Sequence, residues 1–70
     1  MNHDTVRELL KHRPFEPFLI RLSSGEEHIV RHPELAILTK SKIVIAYPES
    51  DRFVITSLLH IVAIEAVQLA

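Results

Sequence analysis

From Pro17 onward the chain is written in period two, and this limits what it can become more than any other feature. In PFLIRLSSGEEHIV, Phe18, Ile20 and Leu22 alternate with Leu19, Arg21 and Ser23. That is the pattern of a strand with one face on a core. Gly25, the only glycine in 70 residues, lies between this run and a return run of roughly Glu27 to Arg31, which makes the segment a hairpin. On the return, His28 and Val30 share one face and Ile29 and Arg31 the other. ELAILTKSKIVIAY supplies two more short strands meeting at residues 39–42, with Ile43, Ile45 and Tyr47 alternating with Val44 and Ala46. PESD (48–51) is made of turn residues. RFVIT and HIVAIEAV are the last strands, and the SLL between them has the length of one 3₁₀ turn. In HIVAIEAV, Val62, Ile64 and Ala66 fall on one face and Ile61, Ala63 and Glu65 on the other. These last strands are apolar on both faces, which calls for a neighbour on each side.

Before the β region, residues 4–13 read as a helix. Val6, Leu9 and Leu10 make one apolar face, and Thr5 with Glu8 has the spacing of a capping box, with Asp4 as a competing N-cap. Pro14 stops the helix, because a residue preceding proline is pushed out of the α region. The order is thus one helix and about five short, strongly bent antiparallel strands, a mainly β small barrel over 17–67 in a single domain of residues 1–70. No internal repeat or low-complexity segment interrupts it.

A domain this small is marginal alone and usually needs a staple. With no cysteine, disulfides and thiolate metal sites are excluded. The chain is 47% hydrophobic, more than one small core requires, so the extra apolar surface is expected to be covered by a partner protein or by another copy of the chain, with Phe53, Ile55, Ile61 and Ala63 as the candidate interface. Eight Lys and Arg against nine Asp and Glu, a net charge of −1, give no general basic excess for nucleic acid. No apolar run approaches the length of a membrane helix, and the N-terminus lacks a signal-peptide pattern, so a cytoplasmic location and no membrane partner are expected.

Three constellations bear on chemistry. Among His3, His12, His28, His32 and His60, only His28 and His32 have H-x₃-H spacing, and no H-E-x-x-H occurs. His28 and His32 lie four apart across a probable bend rather than on a helix face, so no metal is expected. The serines sit in turns or at strand ends, outside any G-x-S-x-G, and a single glycine leaves no phosphate-cradling loop. No catalytic residue and no cofactor is expected, and the chain reads as a non-enzyme. The third constellation is RHPE. Pro33 breaks a strand ladder, His32 before it is biased to extended backbone, and Glu34 can begin one helical turn. Arg31 and Glu34 can pair across this corner, or Glu34 can accept from His32. The segment is first a bend, and Arg31, His32 and Glu34 are candidates for binding ahead of catalysis. A second candidate is the basic patch of Arg7, Lys11, His12 and Arg13, with Phe15 and Phe18 just after it. Basic groups beside aromatics can hold single-stranded nucleic acid. The same phenylalanines, flanking Pro17, also read as anchors for the helix.

In outline the chain resembles the Sm-like small barrel, within the broader SH3-like class. FLIRLSSGEEHIV is similar to that family's first two strands, and RFVITSLLHIVAIEAV to its last two with their 3₁₀ link. The resemblance implies assembly of a ring or dimer through the last two strands and, as the alternative function, an oligomeric RNA-binding ring. The family's base-holding Asp and Asn have no counterpart in RHPELAI. Its Arg-Gly before the last strand is absent too, and of the bacterial branch's Lys-His pair only His60 is present. In letters, the chain also resembles a group of short bacterial proteins of unassigned activity. They share RPF-x-PF (Arg13, Pro14, Phe15, Pro17, Phe18), RHPE (Arg31, His32, Pro33, Glu34) and I-x-x-I-E (Ile61, Ile64, Glu65). The function expected from the sequence is a protein-interaction or assembly module.

Overall fold

The computed structural model describes residues 1–68. Helix α1 spans His3–Lys11. Six strands follow: β1 (Phe18–Leu22), β2 (Glu27–Val30), β3 (Ala36–Leu38), β4 (Lys42–Tyr47), β5 (Arg52–Ser57) and β6 (Ile61–Ala66). They form two antiparallel three-stranded sheets in the orders β2-β1-β6 and β3-β4-β5.

The sequence led to five strands in a closed barrel; the ladders instead stop at the boundary between two sheets. Proline and local hydrogen bonds explain where. Pro33–Leu35 forms a single 3₁₀ turn, closed by the Leu35 N–H donating to the His32 carbonyl at 3.1 Å. It transfers the chain from β2 in the first sheet to β3 in the second. Leu58–His60 forms another, with the Ser57 hydroxyl accepting from the Leu59 N–H at 3.2 Å, and returns the chain from β5 to β6. PESD, read as an irregular loop, contains a third (Pro48–Ser50) ending on Asp51 in the left-handed region.

The helix also differs at both ends. Its N-cap is Asn2, whose Oδ1 accepts from the Asp4 N–H at 2.7 Å, so neither Thr5 nor Asp4 caps it. It stops at Lys11, two residues short of Arg13, and the His12 N–H closes the last turn on the Glu8 carbonyl at 3.0 Å. Val6 is fully buried, and Leu9 and Leu10 pack beside it on the core.

Between the sheets lie Phe18, Ile20, Leu22, Val30, Ile43, Ile45, Leu58 and Ile61, together with Val6. The alternation in β1 and β4 places its inward members as the period-two reading expects. In β6 it does not. Arg21 stands opposite Ala63 and Leu22 opposite Ile61, so Val62 is an extra residue on β6. This bulge turns Ile61 inward onto the face of Ile64 and leaves Val62 59% exposed. Ile61, a candidate interface residue from the sequence, is therefore a core residue, 4% exposed.

Candidate functional site

The RHPE corner holds its polar groups apart. His32 is extended (φ −140°, ψ 145°) ahead of Pro33, and Arg31, His32 and Glu34 are all exposed. Among the described residues no hydrogen bond or ion pair joins these three, so neither the Arg31–Glu34 pair nor the Glu34–His32 bond considered from the sequence is formed. Arg31 instead borders a shallow depression of about 230 Å³ that Tyr47 also lines.

Tyr47 belongs to a cluster that reading along the chain does not assemble. Inward-facing His28 on β2 reaches across to the end of β4, where its Nδ1 lies 2.6 Å from the Tyr47 hydroxyl. Its Nε2 lies 3.3 Å from Glu26 Oε2. A carboxylate only accepts, so with Glu26 ionised Nε2 carries the proton and Nδ1 accepts from the tyrosine O–H. The two rings are tilted at 45° with centroids 5.9 Å apart. Glu26, His28 and Tyr47 thus form a carboxylate–imidazole–hydroxyl chain, the order of an orienter, a base and a nucleophile. Burial, with help from Glu49, pushes the Tyr47 hydroxyl above its ordinary range against the opposing charges of Arg52 and Arg31. The Tyr47–His28 contact links the inner faces of the two sheets as a latch. The sequence held one signal of it: strand parity put His28 beside Val30 on the buried face, where a titratable group needs a partner.

The basic patch divides. Arg13 turns its guanidinium back, with Nη1 donating to the Leu10 and His12 carbonyls at 3.0 and 2.9 Å. His12 Nδ1 is 2.9 Å from the Pro14 carbonyl. Arg7 and Lys11 stay exposed and line a groove of about 370 Å³ with His3, Leu10 and Leu38. The aromatics lie elsewhere: Phe18 is 1% exposed and Phe15 packs against it at 6.0 Å. They anchor the helix segment to the core and offer no stacking platform beside the cations.

Other chemistry finds no assembled site. Ser24, Glu26 and His60 border one groove of about 460 Å³ beside β5. There the Ser24 hydroxyl accepts from the Glu26 N–H at 3.3 Å, the Glu26 carboxylate faces His28, and no bond joins His60 to a serine among the described residues. Among the described residues no three His, Cys, Asp or Glu side chains converge as a metal site. Among the described residues no helix is long and apolar enough to cross a membrane.

The most unusual surface is the outer face of β3-β4-β5. Ladder pairing puts Ile37, Val44 and Ile55 on one rung and Ala46 and Phe53 on the next. Ile37 is 63%, Phe53 67% and Ile55 56% exposed. Of the four candidate interface residues, Phe53 and Ile55 belong to this surface and Ala63 lies half-buried on the outer face of the other sheet. Comparison with family models, with curated proteins and with solved structures finds no match for this chain.

Proposed function

We propose that the protein is a non-enzymatic interaction module that associates with further copies of itself through β5, with Phe53 and Ile55 as the central contacts. The observation that carries this reading is the apolar double rung of Ile37, Val44, Ile55, Ala46 and Phe53 facing outward. Its three large side chains expose about 400 Å² of apolar surface together, the size at which patches on soluble proteins are functional. Two such patches face to face bury about 800 Å², short of the roughly 1,000 Å² a specific interface needs. The unpaired edge of β5, last in the order β3-β4-β5, supplies further contact. Exposed, apolar edge strands pair with other chains unless covered.

The test is solution mass over a concentration series. A dimer or larger assembly that Phe53→Asp with Ile55→Lys converts to a folded monomer supports the reading. A monomer at every concentration sinks it. The alternative of an RNA-binding ring has less support, because its cations lack a stacking partner. A hexamer or heptamer with salt-dependent binding of oligo-U or oligo-A would favour that alternative instead.

A further inference from the structure

We propose that the groove beside α1 docks an acidic segment of a partner protein, with carboxylates meeting Arg7 and Lys11 and an apolar side chain resting on Leu10 and Leu38. His3, Arg7 and Lys11 recur every four residues along one side of α1, about 6 Å apart at 1.5 Å per residue. Like charges at the spacing of Arg7 and Lys11 weaken an isolated helix, and Asp4 and Glu8, three residues before each, offset them only through solvent-exposed neighbours on the helix. Neither Arg7 nor Lys11 makes an ion pair or a side-chain hydrogen bond among the described residues, while Arg21 is held by two carboxylates and Arg13 by two carbonyls. The carboxylates nearest along the helix are Asp4, which lies 3.4 Å from His3 Nδ1, and exposed Glu8, which makes no ion pair among the described residues. Lys40 in the β3–β4 turn and Lys42 at the start of β4 follow Leu38 in the chain. The floor of the groove is apolar: Leu10 and Leu38 are half-buried there.

Cations over a leucine floor fit a peptide bearing Asp or Glu beside Leu or Ile. They fit nucleic acid poorly, since bases need aromatic faces and Phe15 and Phe18 are spent on the core. The groove is formed by α1 and β3 and does not use Phe53 or Ile55, so this proposal and the self-association above fail separately.

The probe is a short fluorescein-labelled peptide of repeated Glu-Glu-Leu, titrated by polarisation against the full chain, with oligo-U of matched charge in parallel. Saturable peptide binding is expected, weakened about tenfold by Arg7→Glu with Lys11→Glu. Binding should also fall sharply near 1 M salt, where screening acts within about 3 Å. The pair Arg7→Gln with Lys11→Gln gives a smaller loss and serves if the reversed variant does not melt as a folded protein. Solution mass should be unchanged in both. No saturable peptide binding overturns the proposal, as does binding indifferent to the substitutions. Oligo-U bound more tightly than the peptide, with the same dependence on Arg7 and Lys11, overturns it in favour of a polyanion site.

Discussion

The outer faces of the two sheets are built on the same plan and dressed in opposite ways. On β2-β1-β6 the middle strand offers Arg21, whose Nε and Nη2 donate to Glu27 Oε2 at 2.9 and 2.8 Å and whose Nη1 donates to Glu65 Oε1 at 2.8 Å. One guanidinium thereby ties three strands with its charge satisfied on both sides, and the two carboxylates hold its pKa above the ordinary value. On β3-β4-β5 the equivalent positions carry Ile37, Val44, Ile55, Ala46 and Phe53, with no charge among them. A face that only water will meet can carry a fork of ion pairs. A face whose large side chains are left apolar and more than half exposed lowers solubility, a cost that the proposed self-association would explain. The contrast is what the proposed self-association rests on: the second sheet offers an apolar face and the first a fork of ion pairs.

The largest effect that sharpens this comparison sets the inner face of the second sheet against its outer face. Ile45 is fully buried and Ile55 is 56% exposed, on neighbouring strands. Ile45→Ala should cost about 2–5 kcal/mol in urea unfolding. Ile55→Ala, measured at a concentration where the protein is monomeric, should stay within about 0.5 kcal/mol. Comparable losses at the two positions would mean that Ile55 belongs to the fold rather than to an interface.

Next in size is Tyr47→Phe, which removes the polar contact of His28 and Tyr47 that joins the inner faces of the two sheets. His28 Nδ1 then loses its donor, and the loss should be about 1–3 kcal/mol near neutral pH. The alkaline limb of the stability curve should change as well. The folded protein holds the Tyr47 proton more tightly than the unfolded chain, whose value is near 10. The contribution is therefore complete below that pH and is lost as pH rises through the higher folded value. Melting followed from pH 8 upward should show this decline in the native sequence and lose it in Tyr47→Phe. An identical alkaline decline in both proteins would remove Tyr47 from the explanation.

Much of this architecture is legible in the sequence, and what escapes does so for physical reasons. Period two found β1 and β4, and Pro33 found the corner, because backbone sterics act locally. Ile61 was misplaced because a bulge is a property of two paired strands: only the register of β1 against β6 shows that Val62 is extra. No closed barrel is found among the described residues either, since hydrophobic alternation marks a strand's inner face without naming its neighbours. The basic patch was half legible. Charge and spacing are visible along the chain, but Arg13 folding back onto two carbonyls depends on where the helix ends, and Asn2 and His12 set those ends rather than Thr5 and Arg13. The His28–Tyr47 latch joins residues 19 apart in different sheets, so only the meeting of the sheets brings it together.

The smallest effect tests the other half of the comparison, the charged face. Arg21→Gln leaves Glu27 and Glu65 on adjacent rungs without their shared cation, while every core residue stays in place. All three side chains are well exposed to water, so the loss should be smaller than that of Tyr47→Phe. Its salt dependence distinguishes it. At low ionic strength the variant should melt below the native protein, through lost attraction and uncovered repulsion between the carboxylates. Near 1 M salt, where charges are screened within about 3 Å, the gap should narrow. Solution mass should not change, because the proposed contact lies on the other sheet. A variant that changes assembly, or whose destabilisation is unaffected by salt, would show that the Arg21 fork does more than satisfy its own charges. The division of labour between the two sheets would then have to be redrawn.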